Sequence, residues 1–296
     1  IMKKSKVVLI GNFDGIHLGH QKLISKAKKI AEQKKQKLVL ITFNPHPREI
    51  INNIEMDLIL PYKEKKLLLK NYGIDKIDEI KFTNKLSKLS AEEFAKEYIY
   101  KAHNPSDIVI GKNFKFGHKA RGDAKLLKDS LSKKVKVHSI DIKRLDSLVI
   151  SSSEIKKLIS KGNIDKVNKL LGRNYHISGK VIHGEKRGRL IGFPTTNLST
   201  EWNFLPKKGV YVSKVVISDK SYQSITNIGV RPTFNANSLQ IESHIFDFNK
   251  NVYGKKIKIY FLARIRSEKK FETVEKLIEN ITKDVNFGRK YFKNFR

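Results

Sequence analysis

Short apolar runs alternate with amphipathic stretches through the first half of the chain. The apolar runs have the length of buried strands, and the stretches between them carry apolar residues at helical spacing. Strands separated by such helices indicate a parallel sheet with helices on both faces, so we expect a Rossmann-like α/β domain. The predicted strands are Lys6–Ile10, Lys37–Phe43, Lys76–Phe82, Asp107–Ile110 and Lys134–Ile142, and the predicted helices are His20–Gln33, Tyr62–Tyr72, Ser90–Ala102 and Asp123–Lys133.

The pattern changes to closely spaced strands after about residue 172. The turn sequence Ser218–Ser221 lies between two alternating segments and predicts a β-hairpin. Consecutive strands followed by one amphipathic helix, about Glu268–Thr282, indicate a small antiparallel β-barrel with a closing helix. The predicted strands are Ile177–His183, Val210–Ile217, Tyr222–Ile228, Leu239–Phe248 and Lys256–Ile265.

Two helical stretches, Ser152–Lys161 and Ile164–Leu171, join the two patterns. The length of 296 residues also favours two domains over one. We therefore expect a first domain over residues 1–172 and a second domain over residues 173–296.

The chain contains no cysteine, which excludes disulfides, thiolate nucleophiles and Cys-ligated zinc. Its longest apolar runs, such as Val7–Ile10 and Leu38–Ile41, are too short to span a bilayer. The residues after Lys4 lack the long apolar region and the cleavage site of a signal peptide. These observations predict a cytoplasmic protein without a membrane partner.

A net charge of +32 is the most unusual bulk property of the sequence and suggests nucleic-acid binding. The basic residues are 50 Lys and 11 Arg spread along the chain, whereas base and phosphate recognition favours the Arg fork. Aromatic residues of the predicted barrel, such as Phe246, Phe248 and Tyr260, alternate mostly with apolar or neutral neighbours. We therefore expect solvated lysines that attract anionic substrates, with a nucleic-acid-binding protein as the alternative.

The first predicted strand runs directly into a glycine-containing turn that is followed by a helix. Gly11 and Gly15 permit tight turns and close approach of the backbone to a ligand. The helix N-terminus offers free N–H groups to phosphate, and His17 and His20 can point into one pocket. Two imidazoles beside an α-phosphate would stabilise the charge of a transition state. Zinc binding is the alternative, but Asp14 is the only nearby acid.

Four sequence blocks of the first half follow one another in a distinctive order: Gly11–Gln21, which contains His-Leu-Gly-His, Thr42–Pro47, Ile110–Gly117 and Ile150–Lys156. The first block resembles the H-x-G-H motif of nucleotidyltransferases, and the four together resemble prokaryotic bifunctional riboflavin kinase/FMN adenylyltransferases, in which they occur in this order. The resemblance implies that the FMN phosphate attacks the α-phosphate of ATP and releases pyrophosphate, while His17 and His20 steady the transferred nucleotide. It also implies a nucleotide site formed by Gly11, Asn12, Phe13, Asp14, Gly15, Asn113, Ser151, Ser152, Ser153 and Lys156.

The serine block has a structural alternative and one departure from the family. Ser151–Ser153 open a predicted helix, so they could hold phosphate or act only as an N-cap. The family usually has Arg where this chain has Lys156, and Lys keeps the charge but lacks the bidentate fork. An inactive adenylyltransferase module is therefore one alternative, which replacement of Lys156 by Arg would test. A nucleotidyltransferase for a pantetheine or nicotinate nucleotide is another, but it explains only the first half.

A basic loop with three glycines opens the second half. Lys186, Arg187 and Arg189 make this loop suited to phosphate binding, with a solvated hairpin as the alternative. Thr195 and Asn197 supply hard oxygen ligands on one face of an extended segment, which suits Mg²⁺.

This segment resembles the Pro-Thr-Ala-Asn motif of riboflavin kinases, with Thr196 in place of the usual alanine. Three further blocks, Gly209–Tyr211, Asn227–Phe234 and Ile241–Phe248, also match the kinase module. By that resemblance Glu242 is the general base for the riboflavin hydroxyl that attacks the γ-phosphate. The resemblance also implies a ligand site that includes Gly188, Arg189, Gly192, Pro194 and Arg264, with Thr195 and Asn197 on the metal.

The resemblance covers nearly the whole chain and implies one enzyme with two ATP-dependent activities. Riboflavin would be phosphorylated to FMN in the barrel domain, and FMN would be adenylylated to FAD in the first domain. Mg²⁺ is the implied metal, ATP the co-substrate, and riboflavin, FMN, FAD and ADP are the other ligands. Arg266 is a second candidate for flavin contact, whereas we expect His183 and His244 to be structural. No feature of the sequence specifies an oligomeric state.

Overall fold

The computed structural model of the protein describes residues 4–131, 134–141, 145, 148–185, 187–232 and 237–294, with only the backbone at 231, 232, 237 and 238. The chain divides into two compact units, Ile1–Ser152 and Ser153–Arg296. The predicted ends of one helix at Lys133 and of one strand at Ile142 lie outside the described residues.

The first unit is built on a five-stranded parallel sheet with strand order β3-β2-β1-β4-β5. The strands are β1 (Lys6–Ile10), β2 (Leu38–Asn44), β3 (Lys76–Lys81), β4 (Pro105–Gly111) and β5 (Lys136–Ile140). The α-helices are α1 (Leu18–Gln33), α2 (Pro47–Asn52), α3 (Tyr62–Asn71), α4 (Asn84–Ser87), α5 (Ala91–Phe94) and α6 (Ala124–Asp129). A π-helix, Ala95–Lys101, continues α5, and a 3-10 turn covers His118–Ala120. The Rossmann-like prediction is confirmed.

Apolar residues fill the central strands because helices cover both faces of the sheet. Val8 in β1 and Ile108 in β4 are fully buried, as expected of strands in a parallel sheet. A capping box begins α5: Ser90 Oγ accepts from the Glu93 amide at 3.1 Å, and the Glu93 carboxylate accepts from the Ser90 amide at 2.9 Å.

The second unit is a closed antiparallel barrel with strand order β10-β7-β6-β11-β8-β9. Its strands are β6 (His176–Ile182), β7 (Thr196–Ser199), β8 (Gly209–Ile217), β9 (Lys220–Pro232), β10 (Asn237–Ile245) and β11 (Lys256–Arg266). The remaining helices are α7 (Ser152–Lys161), α8 (Ile164–Leu171), α9 (Arg187–Leu190) and α10 (Val274–Asn294). The predicted barrel with a final helix is confirmed.

Helix α8 packs against the barrel. Asn168 Nδ2 donates to the Phe261 carbonyl at 2.9 Å, and Asn168 Oδ1 accepts from the Tyr175 amide at 2.7 Å. The division between the units thus falls at Ser152, before the change of sequence pattern at about residue 172.

The hairpin between β8 and β9 lies at the predicted turn. Ser218 and Asp219 have φ of 46° and 65°, as a two-residue turn with the twist of the flanking strands requires. The turn at these two residues sets the register of β8 against β9, and Asp219 tolerates the left-handed region that the turn requires.

The C-terminal helix differs from the predicted range Glu268–Thr282, which is wrong at both ends. Helix α10 begins six residues later because Glu268 is held outside it: its carboxylate accepts from the Val230 amide at 3.1 Å. The helix also continues to Asn294, since Phe292 is buried in an apolar cluster with barrel residues. Contacts with the barrel therefore shift the helix along the chain.

A chain of hydroxyl groups lies inside the barrel. Ser213 Oγ is 2.8 Å from Ser224 Oγ and 2.7 Å from Thr226 Oγ1, which is 2.7 Å from Ser243 Oγ. All four side chains are fully buried. Because buried hydroxyls without partners are costly, this network links β8, β9 and β10 in one register.

Candidate active sites

The loop between β1 and α1 lies at the carboxyl edge of the sheet. Strand β1 pairs with β2 on one side and with β4 on the other. The side of the sheet to which the chain adds its next strands therefore changes at β1. Open parallel sheets bind ligands at such a switch point, where successive connections leave on opposite faces. The sequence-predicted nucleotide site therefore occupies the position that this topology favours.

The loop has an unusual backbone. Phe13, Gly15 and Ile16 have φ of 54°, 79° and 43°, all in the left-handed region. A Cβ atom at Gly15 would lie 2.8 Å from Ile59 Cδ1, so glycine is required there both for conformation and for space. The Asp14 carboxylate accepts from the Ile59 amide at 2.9 Å and so anchors the turn.

His17 and His20 stand together at the start of α1. Their rings stack with centroids 3.7 Å apart, and the His17 Nδ1 caps the helix by accepting from the His20 amide at 3.3 Å. Phe13 also packs against His20, at a centroid distance of 4.7 Å. Both imidazoles therefore lie beside the free N–H groups of a helix N-terminus, where an anion is favoured. Across the described part of the chain, no three His, Asp or Glu side chains converge as a metal-ligand set.

Asn12 is surrounded by residues whose part in the site the sequence does not reveal. Lys65 Nζ donates to the Asn12 carbonyl at 3.1 Å, and Asn12 Nδ2 is 3.1 Å from His46 Nε2. The Tyr62 hydroxyl accepts from the His46 amide at 2.6 Å and donates to the Glu49 carboxylate at 2.8 Å. Burial raises the pKa of Tyr62 and lowers the pKa of Lys65 to about 8. His46 belongs to a matched block, but only the fold brings Lys65 to it.

The remaining predicted nucleotide residues lie at different depths. Asn113 is exposed in the turn after β4, at the same edge of the sheet as the β1 loop. Ser152 Oγ donates to the Asp14 carbonyl at 2.8 Å, so it holds the loop besides opening a helix. Ser151 directly precedes Ser152, whereas Ser153 and Lys156 continue along α7 in the second unit.

An aromatic cluster lies at the same edge of the sheet. Phe43 near the end of β2 is 5.6 Å from Phe82 and 6.0 Å from Phe94, measured between ring centroids. Phe94 is also 5.9 Å from Phe116, which stacks on Phe114 at 5.6 Å. Phe82 and Phe114 are only partly buried, so the cluster presents aromatic surface. The sequence contains these residues, but their convergence depends on the strand order.

In the second unit, a row of polar side chains crosses three strands. Glu242 on β10 is registered opposite Asn197 on β7 and opposite Asn227 on β9. Registered partners in an antiparallel pair point to the same face, so a carboxylate stands between two amides. The neighbouring residues Ser243 and Thr226 face the barrel interior, which places the polar row on the outer face.

A cavity of about 390 Å³ lies over this outer face. Five of the residues singled out from the sequence line it: Arg187, Gly188, Thr195, Glu242 and Arg266. Asn197 is buried beside it, and a Cβ atom at Gly184 would lie 2.2 Å from Asn197 Nδ2. The other lining residues are Glu185, Ile191, Phe193, Val210, Ile225, Asn227, Val230, Gln240, His244, Glu268, Lys269, Phe271, Leu277, Ile281 and Asp284.

The glycine-rich loop closes on itself. A Cβ atom at Gly188 would lie 2.4 Å from the Phe193 carbonyl, and the Phe193 amide donates to the Gly188 carbonyl at 2.7 Å. Arg189 is exposed, and its carbonyl accepts from the Gly192 amide at 3.3 Å. The Pro194 carbonyl bonds His244 Nδ1 at 2.9 Å. Lys186 lies outside the described residues.

Arg264 and Arg266 both lie near the end of β11; Arg266 lines the cavity, whereas Arg264 does not. The Arg264 guanidinium donates to the Lys208 carbonyl at 2.8 Å. Arg266 forms a bidentate pair with Asp284 of α10, with nitrogen–oxygen distances of 2.7–3.0 Å. Asp284 is buried, so this pair fixes the helix that forms one wall of the cavity.

The two histidines expected to be structural have different surroundings. His244 lines the cavity, and burial lowers its pKa below the ordinary value. His183 is exposed and stacks on Tyr253 with ring centroids 3.9 Å apart. The position of His244 follows from its alternation with Glu242 along β10, a period that the sequence shows.

Among the helices that the structure describes, none combines the length and apolar character needed to cross a membrane.

Two family models match the chain. A riboflavin kinase model matches residues 171–292, and an FAD synthetase model matches residues 2–154. The first covers the barrel, and the second covers the parallel sheet with its β1 loop.

Full-length relatives show the same combination. The bifunctional riboflavin kinase/FMN adenylyltransferase of Bacillus subtilis is 38% identical over 98% of this chain and 93% of its own length. The protein of the same description from Buchnera aphidicola subsp. Schizaphis graminum is 39% identical over 98% of this chain and 95% of its own. A crystal structure from Streptococcus pneumoniae, described as a macrolide-efflux protein, has a TM-score of 0.90 and 34% identity over 97% of this chain and 95% of that one.

Proposed function

Because this chain belongs to the family of bifunctional riboflavin kinase/FMN adenylyltransferases and carries both activities, we propose that each unit holds one complete active site. The cavity beside Glu242 phosphorylates riboflavin, and the loop Gly11–His20 adenylylates FMN. The observation that carries the proposal is the row Asn197–Glu242–Asn227, which sets a carboxylate between two amides on the floor of a ligand-sized cavity.

The kinase site contains residues that suit Mg²⁺. The Thr195 hydroxyl and the Asn197 amide are hard oxygen donors near the Glu242 carboxylate, and Mg²⁺ takes few protein oxygens besides water and phosphate. Thr195 and Asn197 would hold the ion, which when bound neutralises charge on the ATP phosphates. Asn197 packs against the bare backbone of Gly184, so its amide is held in one place.

Glu242 acts on the substrate alcohol. Its carboxylate accepts the proton of the riboflavin hydroxyl as the oxygen attacks the γ-phosphate, and ADP leaves. The flavin lies in the cavity against Phe193, Phe271 and the apolar side of α10. The loop with Gly188 and Arg189 lies over the phosphates, where its backbone N–H groups and basic side chains are suited to anions.

The adenylylation site works by positioning and by charge stabilisation. FMN phosphate attacks the α-phosphate of ATP, and pyrophosphate leaves; no covalent enzyme intermediate is needed. His17 and His20, with the N-terminus of α1, stabilise the negative charge that grows on the α-phosphate. Asn113, Ser151 and Ser152 contact the nucleotide phosphates, and the aromatic cluster with Phe82 and Phe114 supports the flavin ring.

One experiment tests both sites in the same chain. Purified protein is incubated with Mg²⁺-ATP and either riboflavin or FMN, and riboflavin, FMN and FAD are separated chromatographically. Glu242→Gln should form no FMN from riboflavin yet convert supplied FMN to FAD at the wild-type rate. His17→Ala should form FMN from riboflavin but little FAD. Each variant is thus the control for the other, and loss of both products in either variant would contradict the assignment of separate sites.

A further inference from the structure

Lys65 on α3 is a buried cation beside the adenylylation loop. Lys65 is only 4% exposed, and its Nζ donates to the Asn12 carbonyl at 3.1 Å and to Thr42 Oγ1 at 3.4 Å. The Tyr62 ring lies 4.9 Å from the ammonium. Both acceptors are neutral, and among the described residues no carboxylate oxygen lies within 4.0 Å of this ammonium. A buried charge without an ion-pair partner is costly, so its presence needs an explanation.

Three surrounding charges act on Lys65 from a greater distance. Burial is the largest influence and lowers its pKa to about 8; Asp14 and Glu79 raise it, and Lys66 lowers it further. Tyr62 is neutral in the pH range in which Lys65 titrates, since burial raises the pKa of its phenol. The ammonium is therefore charged near neutral pH at a cost that a nearby anion would offset.

The segment that carries Lys65 also shapes the loop. The Ile59 amide donates to the Asp14 carboxylate at 2.9 Å, and Lys65 Nζ holds the Asn12 carbonyl. These two contacts grip the loop on either side of Phe13, whose φ of 54° is unfavourable for a residue other than glycine. The Asn12 side chain is in turn 3.1 Å from His46 Nε2.

We propose that Lys65 is a positioning residue for the ATP phosphates, acting through the loop Gly11–His17 rather than by direct contact. Its hydrogen bond fixes the Asn12 carbonyl, and its charge lies behind the N–H groups that face the phosphates. This inference rests on the assignment of adenylylation to this loop. The partner of the buried charge is then the polyphosphate of ATP, which enters from the other side of the loop.

The test compares Lys65→Met and Lys65→Arg with Lys66→Met as the matched control, because Lys66 is the next residue on α3 and is half exposed. The KM for ATP and the kcat of FAD formation from FMN are measured between pH 6.5 and 9.5. We expect Lys65→Met to raise the KM for ATP about tenfold or more, with a smaller change in kcat. Lys66→Met should keep the wild-type KM for ATP near neutral pH, with the rise at alkaline pH moved higher because the charge of Lys66 lowers the pKa of Lys65. Lys65→Arg should recover a large part of the loss.

The pH dependence separates a charge effect from a packing effect. Lys65 is charged below its pKa of about 8 and neutral above it. The wild-type KM for ATP should therefore rise as pH passes about 8. This rise should be absent in Lys65→Met, whose KM is high at every pH, and in Lys65→Arg, because the guanidinium stays charged throughout this range. Bound ATP favours the charged form of Lys65 and so raises its pKa in the complex. A fall in kcat should therefore begin at a higher pH than the rise in KM for ATP.

Two controls make the outcomes decisive. The thermal unfolding midpoint of Lys65→Met should not fall, because the variant removes a buried charge, and riboflavin phosphorylation by the same preparation should be unchanged. A KM for ATP in Lys65→Met equal to that of Lys66→Met at every pH would overturn the proposal. The proposal would also be overturned if Lys65→Met had a lower unfolding midpoint and if its kcat fell by the same factor as its KM for ATP rose at every pH. If His17→Ala still formed FAD normally, the site assignment itself would be at fault.

Discussion

Glu242 on β10 and Asn197 on β7 are opposite each other in one of the two registered pairs that join these strands. The other pair, Ser243 with Thr196, carries an additional side-chain bond, because Thr196 Oγ1 donates to the Ser243 carbonyl at 3.3 Å. Strand β7 is only four residues long, so few contacts hold the proposed base beside the proposed metal ligand. The threonine that replaces the family's usual alanine thus adds a bond at the seam where the site is built.

Replacing Thr196 by Val should weaken this seam. The substitution keeps the side-chain shape but removes a hydrogen bond worth about 1 kcal/mol. We expect kcat for riboflavin phosphorylation to fall about two- to tenfold, because small misplacements of catalytic groups are costly. Thr196→Ser, which keeps the hydroxyl, should retain the wild-type rate, and FAD formation from FMN should not change in either variant. Equal kinase rates for Thr196→Val and Thr196→Ser would contradict the role of the hydroxyl.

Removal of Mg²⁺ should stop both reactions. Substitution of a metal-binding residue in one site should change the Mg²⁺ dependence of that site's reaction alone. For Asn197→Ala we expect the Mg²⁺ concentration for half-maximal kinase activity to rise about tenfold or more, since loss of a group that binds a metal or orients its ligands has an effect of that size. The Mg²⁺ dependence of FAD formation from FMN should stay at the wild-type value. The measurement is a Mg²⁺ titration of both reactions in one preparation, after removal of metal by a chelator. Identical kinase titrations for the variant and the wild type would exclude Asn197 as a ligand.

The buried pair Arg266–Asp284 should be more important than the exposed pair Arg289–Asp247. Both are bidentate, but Asp284 is buried and Asp247 has 76% of its side chain exposed. Asp284→Asn leaves a guanidinium without its partner at the cavity wall, so we expect a loss of about 3–5 kcal/mol in unfolding free energy. We also expect at least a tenfold higher KM for riboflavin.

Asp247→Asn is the matched control, and we expect little change in unfolding free energy because exposed ion pairs contribute little to stability. Denaturant unfolding and riboflavin kinetics are measured for both variants. Similar effects of the two substitutions would show that burial of the Arg266 pair has no special importance.

Asp107, at the amino end of β4, should make the stability of the first unit depend on pH. Burial alone would raise its pKa, but hydrogen bonds from Lys34, His138 and Ser106 outweigh burial and hold the pKa below its ordinary value. A carboxyl with a lowered pKa stabilises the fold above its unfolded value, about pH 4, and this contribution is lost as pH falls through the folded pKa.

Asp107→Asn should therefore lower the free energy of unfolding at pH 7 by roughly 3 kcal/mol, the size expected when a buried ion pair loses one partner. The difference from the wild type should shrink towards pH 3. Denaturant titrations followed by circular dichroism at both pH values measure it. A difference that is independent of pH would show that the carboxylate charge does not contribute.

Sequence patterns predicted those strands and turns whose conformation depends on neighbouring residues along the chain. The apolar runs of β1 and β2 indicate buried parallel strands, and the turn at Ser218 and Asp219 determines its hairpin without help from the rest of the chain. The predicted range of the C-terminal helix failed because Glu268 is bound by the Val230 amide, a contact between residues far apart in sequence.

The motif residues were predicted from short blocks, whereas their supporting residues were not. His17 and His20 are three positions apart, so a helix start suffices to bring them together. Lys65 is 53 residues from Asn12, and no local pattern distinguishes it from the other lysines of this basic chain. Only its burial does so.

The sequence by itself determined the order of the longer strands and helices, but not the short elements α2, α4, α9 and β7. It also determined the conformations of the glycine turns and the residue types available for chemistry, because these depend on neighbours along the chain. The tertiary structure decided which strand faces which. The opposition of Glu242 and Asn197 requires the barrel to close with β10 against β7 in one register, and a shift of one residue would turn Glu242 towards the interior. The hydroxyl network, the pair Arg266–Asp284 and the burial of Lys65 likewise arise from contacts between distant segments. Such contacts form only when the whole unit has folded, and the physical reason is that register and burial are properties of the packed structure and not of any one segment.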